Sequence, residues 1–281
     1  MSHLIIGIHG LANKPPREIQ HRGWLDAMRE GLRRNCGIPE ASIDFTSVYW
    51  ADVLYPRPLN PDPEPYTKEP GKGPLKRYRD GWHTQLSAGA LGFGGRAVDG
   101  LKVWFGMDKL ADLILARKLA DLHRYYTNRK LHDELQSRLL NALQQAAGNR
   151  IMLICHSMGS IIAYDVLREL GRVDPRFVVD HFVTIGSPLG LPHVFYRIRR
   201  ENRLVRTPTI VRQWSNFADR RDPVAVDIHL ADDFEPNDAG VGVRDDLVIN
   251  GYRNPAGRPN HHKLYGYLRA PEVSEVIARF I

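Results

Sequence analysis

An α/β fold, with a mainly parallel twisted sheet and helices on both faces, is what the 281-residue sequence predicts. Three observations predict it. Short apolar runs of strand length alternate with helical periods along most of the chain. The first two strand candidates are joined by a helix and not by a tight hairpin, which is the β-loop-α-β unit of a parallel sheet. Hydrophobic residues make up 43% and charged residues 25%, the mix of a globular chain with a sizeable core.

The elements follow in order. "LIIGIH" (4–9) is a first strand and "GLANK" a loop. Pro15 and Pro16 then open a helix, since proline suits a first turn. Leu25, Met28 and Leu32 keep helical spacing, and Gly37 suits the stop. "SIDFTSVYW" (42–50) alternates like a strand. Residues 56–74 hold seven prolines and read as an extended or irregular connector. A glycine-rich stretch follows, then a rather apolar helical stretch over 101–126 with Leu115, Leu119, Leu122 and Tyr126 on one face. We expect a core of 1–50 and 129–281, interrupted by 51–128 as a connector and helical cap. Periodicity resumes with a helix at 130–147, the strand "RIMLIC" (150–155) and a helix carrying Ile162, Val166 and Leu170. "FVVDHFVTIG" (177–186), "TPTIVRQWSN" (207–216) and "DDLVIN" (245–250) are further strands, and "PEVSEVIARFI" (271–281) a closing helix.

Several classes of protein are disfavoured. The N-terminus has no basic leader and reads as a strand rather than a signal peptide. No run of 18 apolar residues is present, so no membrane span is expected. Two cysteines, Cys36 and Cys155, are not a disulfide framework, which points to a reducing, cytoplasmic setting. The net charge of +7 is spread along the chain, and no nucleic-acid-binding signature occurs. No H-E-x-x-H is found among the 12 histidines, and "GFGGRA" (92–97) lacks the preceding strand that a dinucleotide site requires. No metal or other cofactor is expected.

The chemistry concentrates at "LICHSMGSII" (153–162), where Ser157 stands between a strand and a helix. A serine there lies at the carboxyl end of a strand, where open α/β sheets place ligands. A tight strand-turn-helix needs small neighbours, and Gly159 and Cys155 meet that need. "CHSMG" resembles the nucleophile elbow of the α/β-hydrolase superfamily, with cysteine in place of the first glycine. "GIHGLANKP" (7–15) resembles its oxyanion-hole loop, and "TIGSPLGLP" (184–192) the segment after the next strand in lipase-like members. "WSNFADRRDPVA" (214–225) resembles the acid loop and "PNHHKLYGYLRAPEV" (259–273) the histidine loop. The matches run in the superfamily order over most of the chain.

The resemblance implies a lipase- or esterase-like serine hydrolase with Ser157, Asp222 and His262 as its triad. A serine hydroxyl needs a base, histidine titrates near neutral pH, and a buried carboxylate orients the imidazole. Asp219 competes with Asp222, which is preferred because "DPV" resembles the acid position. His261 competes with His262, which is preferred because Tyr267-Leu268 fit the spacing of an aromatic-leucine pair after the catalytic histidine. The backbone N–H groups of Leu11 and Met158 are the expected oxyanion hole. His9 is expected to hold its loop, His156 to be a structural neighbour, and Cys155 to be a packing residue. The expected partner is a small acyl ester or lipid-like substrate and no nucleic acid; peripheral membrane contact and oligomeric state stay open. A non-catalytic binding scaffold, and an acyltransferase or thioesterase using the same triad, are the alternatives.

Overall fold

A computed structural model describes residues 2–79, 121–225 and 227–281. The helical cap expected within 51–128 falls mostly on residues outside the described ones. Six strands form one sheet: β1 (His3–Ile8), β2 (Phe45–Val48), β3 (Arg150–His156), β4 (His181–Ile185), β5 (Trp214–Ala218) and β6 (Val243–Leu247). Their order is β2-β1-β3-β4-β5-β6, and every neighbouring pair is parallel. The helices are α1 (Arg17–Cys36), α2 (Ala51–Leu54), α3 (Arg129–Gln145), α4 (Met158–Val173), α5 (Pro192–Asn202), α6 (Leu264–Leu268) and α7 (Pro271–Phe280). Residues 121–127 are also helical.

Local chemistry explains the boundaries. Pro16 precedes α1, and Gly37 closes it at φ 69°, its N–H donating to Leu32 O. The Asn128 side chain accepts from Leu131 N and starts α3. Alternate residues of each strand feed two cores, as the pleat requires. Ile6, Ile8, Leu153, Cys155 and Phe182 pack on one face with Leu135, Leu139, Ile162 and Ile198 of α3, α4 and α5. Ile5, Met152, Ile154, Val183 and Ile185 pack on the other with α1, α6 and α7.

Several elements differ from the sequence expectation, which contains neither α2 nor α6. The strand expected over 207–216 lies at Trp214–Ala218, and Val211 makes only an isolated bridge to Val179. Pro208 has no N–H for a ladder, and the Asn237 amide takes the carbonyls of Pro208 and Val211 at 3.1 and 3.0 Å. The last strand sits two residues earlier, at Val243–Leu247. Helix α5 has no counterpart in the sequence reading. It buries only Val194 and Ile198, so its apolar period is short and interrupted by arginines.

From β1 the chain runs to β2 on one side, and it later returns as β3 on the other. The loops after β1 and β3 thus meet at the carboxyl edge of the sheet, where open α/β sheets place their ligands. Among the described residues no helix is long and apolar enough to cross a membrane.

Candidate active site

Ser157 stands at that edge, between the last residue of β3 and the first of α4. Its backbone has φ 54° and ψ −131°, a conformation that costs a non-glycine residue of the order of 1–3 kcal/mol. The surroundings hold it there. Ser157 N donates to Ile185 O at 3.1 Å, and Ser157 O accepts from Ser160 N at 2.8 Å. The elbow is pressed against the end of β1. A Cβ on Gly159 would stand 2.7 Å from Ile8 O, and one on Gly10 would stand 2.5 Å from Ser157 Cβ. Both positions exclude a side chain by contact alone.

His262 reaches Ser157 from the loop between β6 and α6. Its Nε2 lies 2.9 Å from Ser157 Oγ, and its Nδ1 lies 2.8 Å from Asp222 Oδ2. The Nδ1–H donates to the carboxylate, which leaves Nε2 to accept the serine hydroxyl. Ser157, Asp222 and His262 are all buried. Burial alone would push the Asp222 carboxyl up. The charge and hydrogen bond of His262 outweigh it, aided by Tyr267 and Val224 N, and hold the group below its ordinary value. Oδ1 of Asp222 accepts Val224 N at 2.8 Å, and Oδ2 also accepts the Tyr267 hydroxyl at 2.7 Å.

The two competing residues have other partners. Asp219 accepts the Arg221 backbone N–H and guanidinium, at 2.7 to 3.0 Å, and Asn250 N at 2.7 Å. It ties the β5 loop to the histidine loop. His261 Nδ1 donates to Asn250 O at 3.1 Å. Asn250 in turn donates through Nδ2 to the carbonyls of His261 and Lys263, at 2.9 and 2.8 Å. The carbonyl between them, of His262 itself, accepts His156 Nε2–H at 2.8 Å. Three consecutive carbonyls are thus held, and the His156 ring packs 4.7 Å from the His262 ring.

The loop after β1 is fixed by His9. Its Nδ1–H donates to Gly10 O at 2.8 Å, and its Nε2 accepts Trp50 N–H at 3.0 Å. Burial, then the positive charge of Lys14, pushes His9 well below the usual histidine range, so it stays neutral. Lys14 Nζ donates to the carbonyls of Leu11 and Ala12. Leu11 directly follows Gly10, and Met158 opens α4, whose first N–H groups have no partner within the helix. Both expected oxyanion donors thus belong to the segments that flank Ser157. Cys155 is buried in the core on the α3–α4 face, and burial pushes its thiol well up.

Sequence reasoning missed Tyr267 as a partner of Asp222, Asn250 as the brace of the histidine loop, and Lys14 as the clamp of the β1 loop. A tyrosine five residues after His262 was visible, but only as a spacing mark. Among the described residues no group of three His, Cys, Asp or Glu side chains is placed to hold a metal ion.

No protein-family model matches the chain. A stretch of 92 residues, 33% of the chain, is 27% identical to a protein of Saccharomyces cerevisiae named as a probable mitochondrial phospholipase. The matched stretch spans only 11% of that relative's length. Among solved structures, a thioesterase from the prodiginine biosynthetic pathway of Streptomyces coelicolor aligns over 99% of this chain and 90% of its own. The identity is 12% and the TM-score 0.37.

Proposed function

We propose that the protein is a serine hydrolase of the α/β-hydrolase kind that cleaves carboxylic esters, lipid-like esters included, through an acyl-enzyme. The observation that carries this reading is the continuous hydrogen-bonded series from Ser157 Oγ through His262 to Asp222, at 2.9 and 2.8 Å. It is mounted on a strained turn at the carboxyl edge of a parallel sheet. The printed name of the yeast relative, a phospholipase, agrees with a lipid ester as substrate.

In this reading His262 Nε2 takes the Ser157 proton as Oγ attacks the acyl carbonyl. The imidazolium that forms is stabilised by Asp222, which also fixes the tautomer. The N–H groups of Leu11 and Met158 receive the negative charge on the carbonyl oxygen. One such donor is worth about 3 kcal/mol. His262 then gives its proton to the leaving oxygen, the ester C–O bond breaks, and an acyl group remains on Ser157. Water, deprotonated by His262, releases it as the acid. The same acyl-enzyme could be consumed by an alcohol or thiol, and a thioester could supply it. These arms differ only in leaving group and acceptor.

The test is labelling by a fluorophosphonate probe together with hydrolysis of a chain-length series of p-nitrophenyl esters. Wild type is expected to label at Ser157 and turn over, and Ser157→Ala to do neither. His262→Ala is expected to lose several orders of magnitude in kcat, since the triad acts as a unit, and His261→Ala far less. A folded wild type that neither labels nor hydrolyses is a binding scaffold, and the proposal fails.

A further inference from the structure

Helix α5 follows the loop after β4, whose last residue, Ile185, accepts the Ser157 N–H at its carbonyl. Its inner face buries Val194 and Ile198. Its outer face carries Tyr196 with Arg199 and Arg200, three and four residues on, and Arg203 and Leu204 stand exposed just past its end. Tyr196 is 68% exposed and Leu204 49%, two of the five large apolar side chains that stand exposed among the described residues.

Among the described residues the charges on this segment are not all neutralised. Of five arginines over 192–206, Arg197 pairs with Glu201 at 2.6 Å and Arg206 with Asp238 at 2.7 Å. Among the described residues Arg199, Arg200 and Arg203 form no ion pair. The one carboxylate of the segment, Glu201, is committed to Arg197. Three guanidinium groups with no carboxylate partner among the described residues thus stand on a nine-residue stretch with an exposed phenol ring and an exposed leucine. Both apolar groups cost free energy in water, and the cations repel one another. The exposed face of α1 is also basic, with Arg22, Arg29 and Arg33, but it interleaves them with Glu18 and Asp26.

We propose that the outward face of α5 docks on an anionic phospholipid bilayer. Tyrosine sits well at the headgroup level, leucine enters the acyl boundary, and guanidinium groups pair with phosphate and carboxylate headgroups. A nucleic acid would meet the same charges but give an aliphatic leucine nothing to enter. The first turn of α5 follows the loop after β4, beside Ser157, so a docked helix brings the Ser157 site toward the lipid. The docking itself does not depend on the hydrolase reading.

Sedimentation with vesicles tests this at constant salt, comparing phosphatidylcholine alone with phosphatidylcholine containing phosphatidylserine. Wild type is expected to partition onto the anionic vesicles and weakly onto the neutral ones. Each arginine near an anionic surface is worth about fivefold in partition, so Arg199→Gln, Arg200→Gln and Arg203→Gln together lose about a hundredfold. Tyr196→Ser with Leu204→Ser loses affinity without losing the preference for anionic lipid. The control removes equal charge elsewhere, by Arg22→Gln, Arg29→Gln and Arg33→Gln, and is expected to keep most of the binding. All variants change exposed side chains, and circular dichroism and thermal melting check their fold. No partition of wild type, equal loss in the α1 control, or tighter binding to a DNA or RNA oligonucleotide than to anionic vesicles overturns the proposal. Failure of the esterase test with this pattern intact would remove the catalytic reading and leave the docking surface standing.

Discussion

At Asp222 the position of two carboxylate oxygens decides what the side chain can do. One oxygen is fixed by a backbone N–H, and the other is shared between His262 and the Tyr267 hydroxyl. Burial first, then the charge of Asp222, raises Tyr267 far above the ordinary phenol, so it stays a donor. The same hydroxyl accepts Asp219 N at 3.1 Å, which links the competing acid to the one that touches His262. Tyr267→Phe deletes a hydrogen bond to a charged group, worth about 1.5–3 kcal/mol. We expect kcat/KM to fall about tenfold or more. The charge on Asp222 becomes less dispersed and holds the imidazolium more firmly, so the acidic limb of the pH–rate profile moves upward. A variant with lower melting temperature but an unmoved limb would make Tyr267 a packing residue only.

Among the elements, β4 carries a titrating group unrelated to the site. His181 opens the strand and lies 2.9 Å from Ser215 Oγ on β5. Burial, then the charges of Arg279 and Arg244, pushes its pKa down to about 4. In the unfolded chain histidine titrates near 6.5. Between the two values the unfolded state binds more protons, so stability rises with pH. This contribution is complete above about pH 6.5 and is lost as the pH falls toward the folded value. At about 1.4 kcal/mol per unit the loss is roughly 3 kcal/mol. His181→Gln keeps a polar partner for Ser215 without the titration. Urea unfolding from pH 7 to 4 is expected to be flatter for this variant by about that amount. Equal slopes would show that His181 charges freely in the folded state. The neighbouring strand also shows where sequence patterning misleads. "TPTIV" has the β-branched composition of a strand, but Pro208 breaks the ladder and Asn237 takes the carbonyls, so pairing starts at Trp214.

Across the whole molecule, the proline-rich residues 56–74 act as a strap. Arg269, 2% exposed, donates to Glu30 of α1 at 3.2 Å, Thr67 O at 2.7 Å and Glu69 at 2.6 Å. Tyr66 OH and Glu69 N also donate to Glu30, each at 2.9 Å. Nearby, the Glu64 carboxylate accepts Asn260 Nδ2 at 2.8 and 2.9 Å, and Asn260 Oδ1 accepts His262 N at 3.0 Å. The strap thus joins α1, the α6–α7 junction and the histidine loop. Arg269→Met leaves Glu30 buried beside fewer compensating charges. The expected cost is about 3–5 kcal/mol, read as a lower urea midpoint, with part recovered when Glu30→Gln is added. A loss below about 1 kcal/mol would mean that the pair acts like a surface ion pair.

Local features of the chain were enough to determine the alternation of strands and helices and the sharp turn at Ser157 with its small neighbours. Each depends on residues close in sequence: a strand-length apolar run, a glycine two positions on, a proline at a helix start. Within each of the pairs Asp219/Asp222 and His261/His262, which share a loop and a residue type, local features prefer Asp222 and His262 only by resemblance to the acid and histidine loops. The tertiary structure separates them by what each side chain meets. Asn250 N and the Arg221 guanidinium occupy Asp219, and the carbonyl of Asn250 occupies His261. Asp222 and His262 are left facing each other across 40 residues of sequence. The strap was illegible for the same reason. Its prolines announce an extended path, but the charges that fix that path, Glu30 on α1 and Arg269 between α6 and α7, lie far off in sequence, Arg269 200 residues from Glu69, and only folding brings them within hydrogen-bond range.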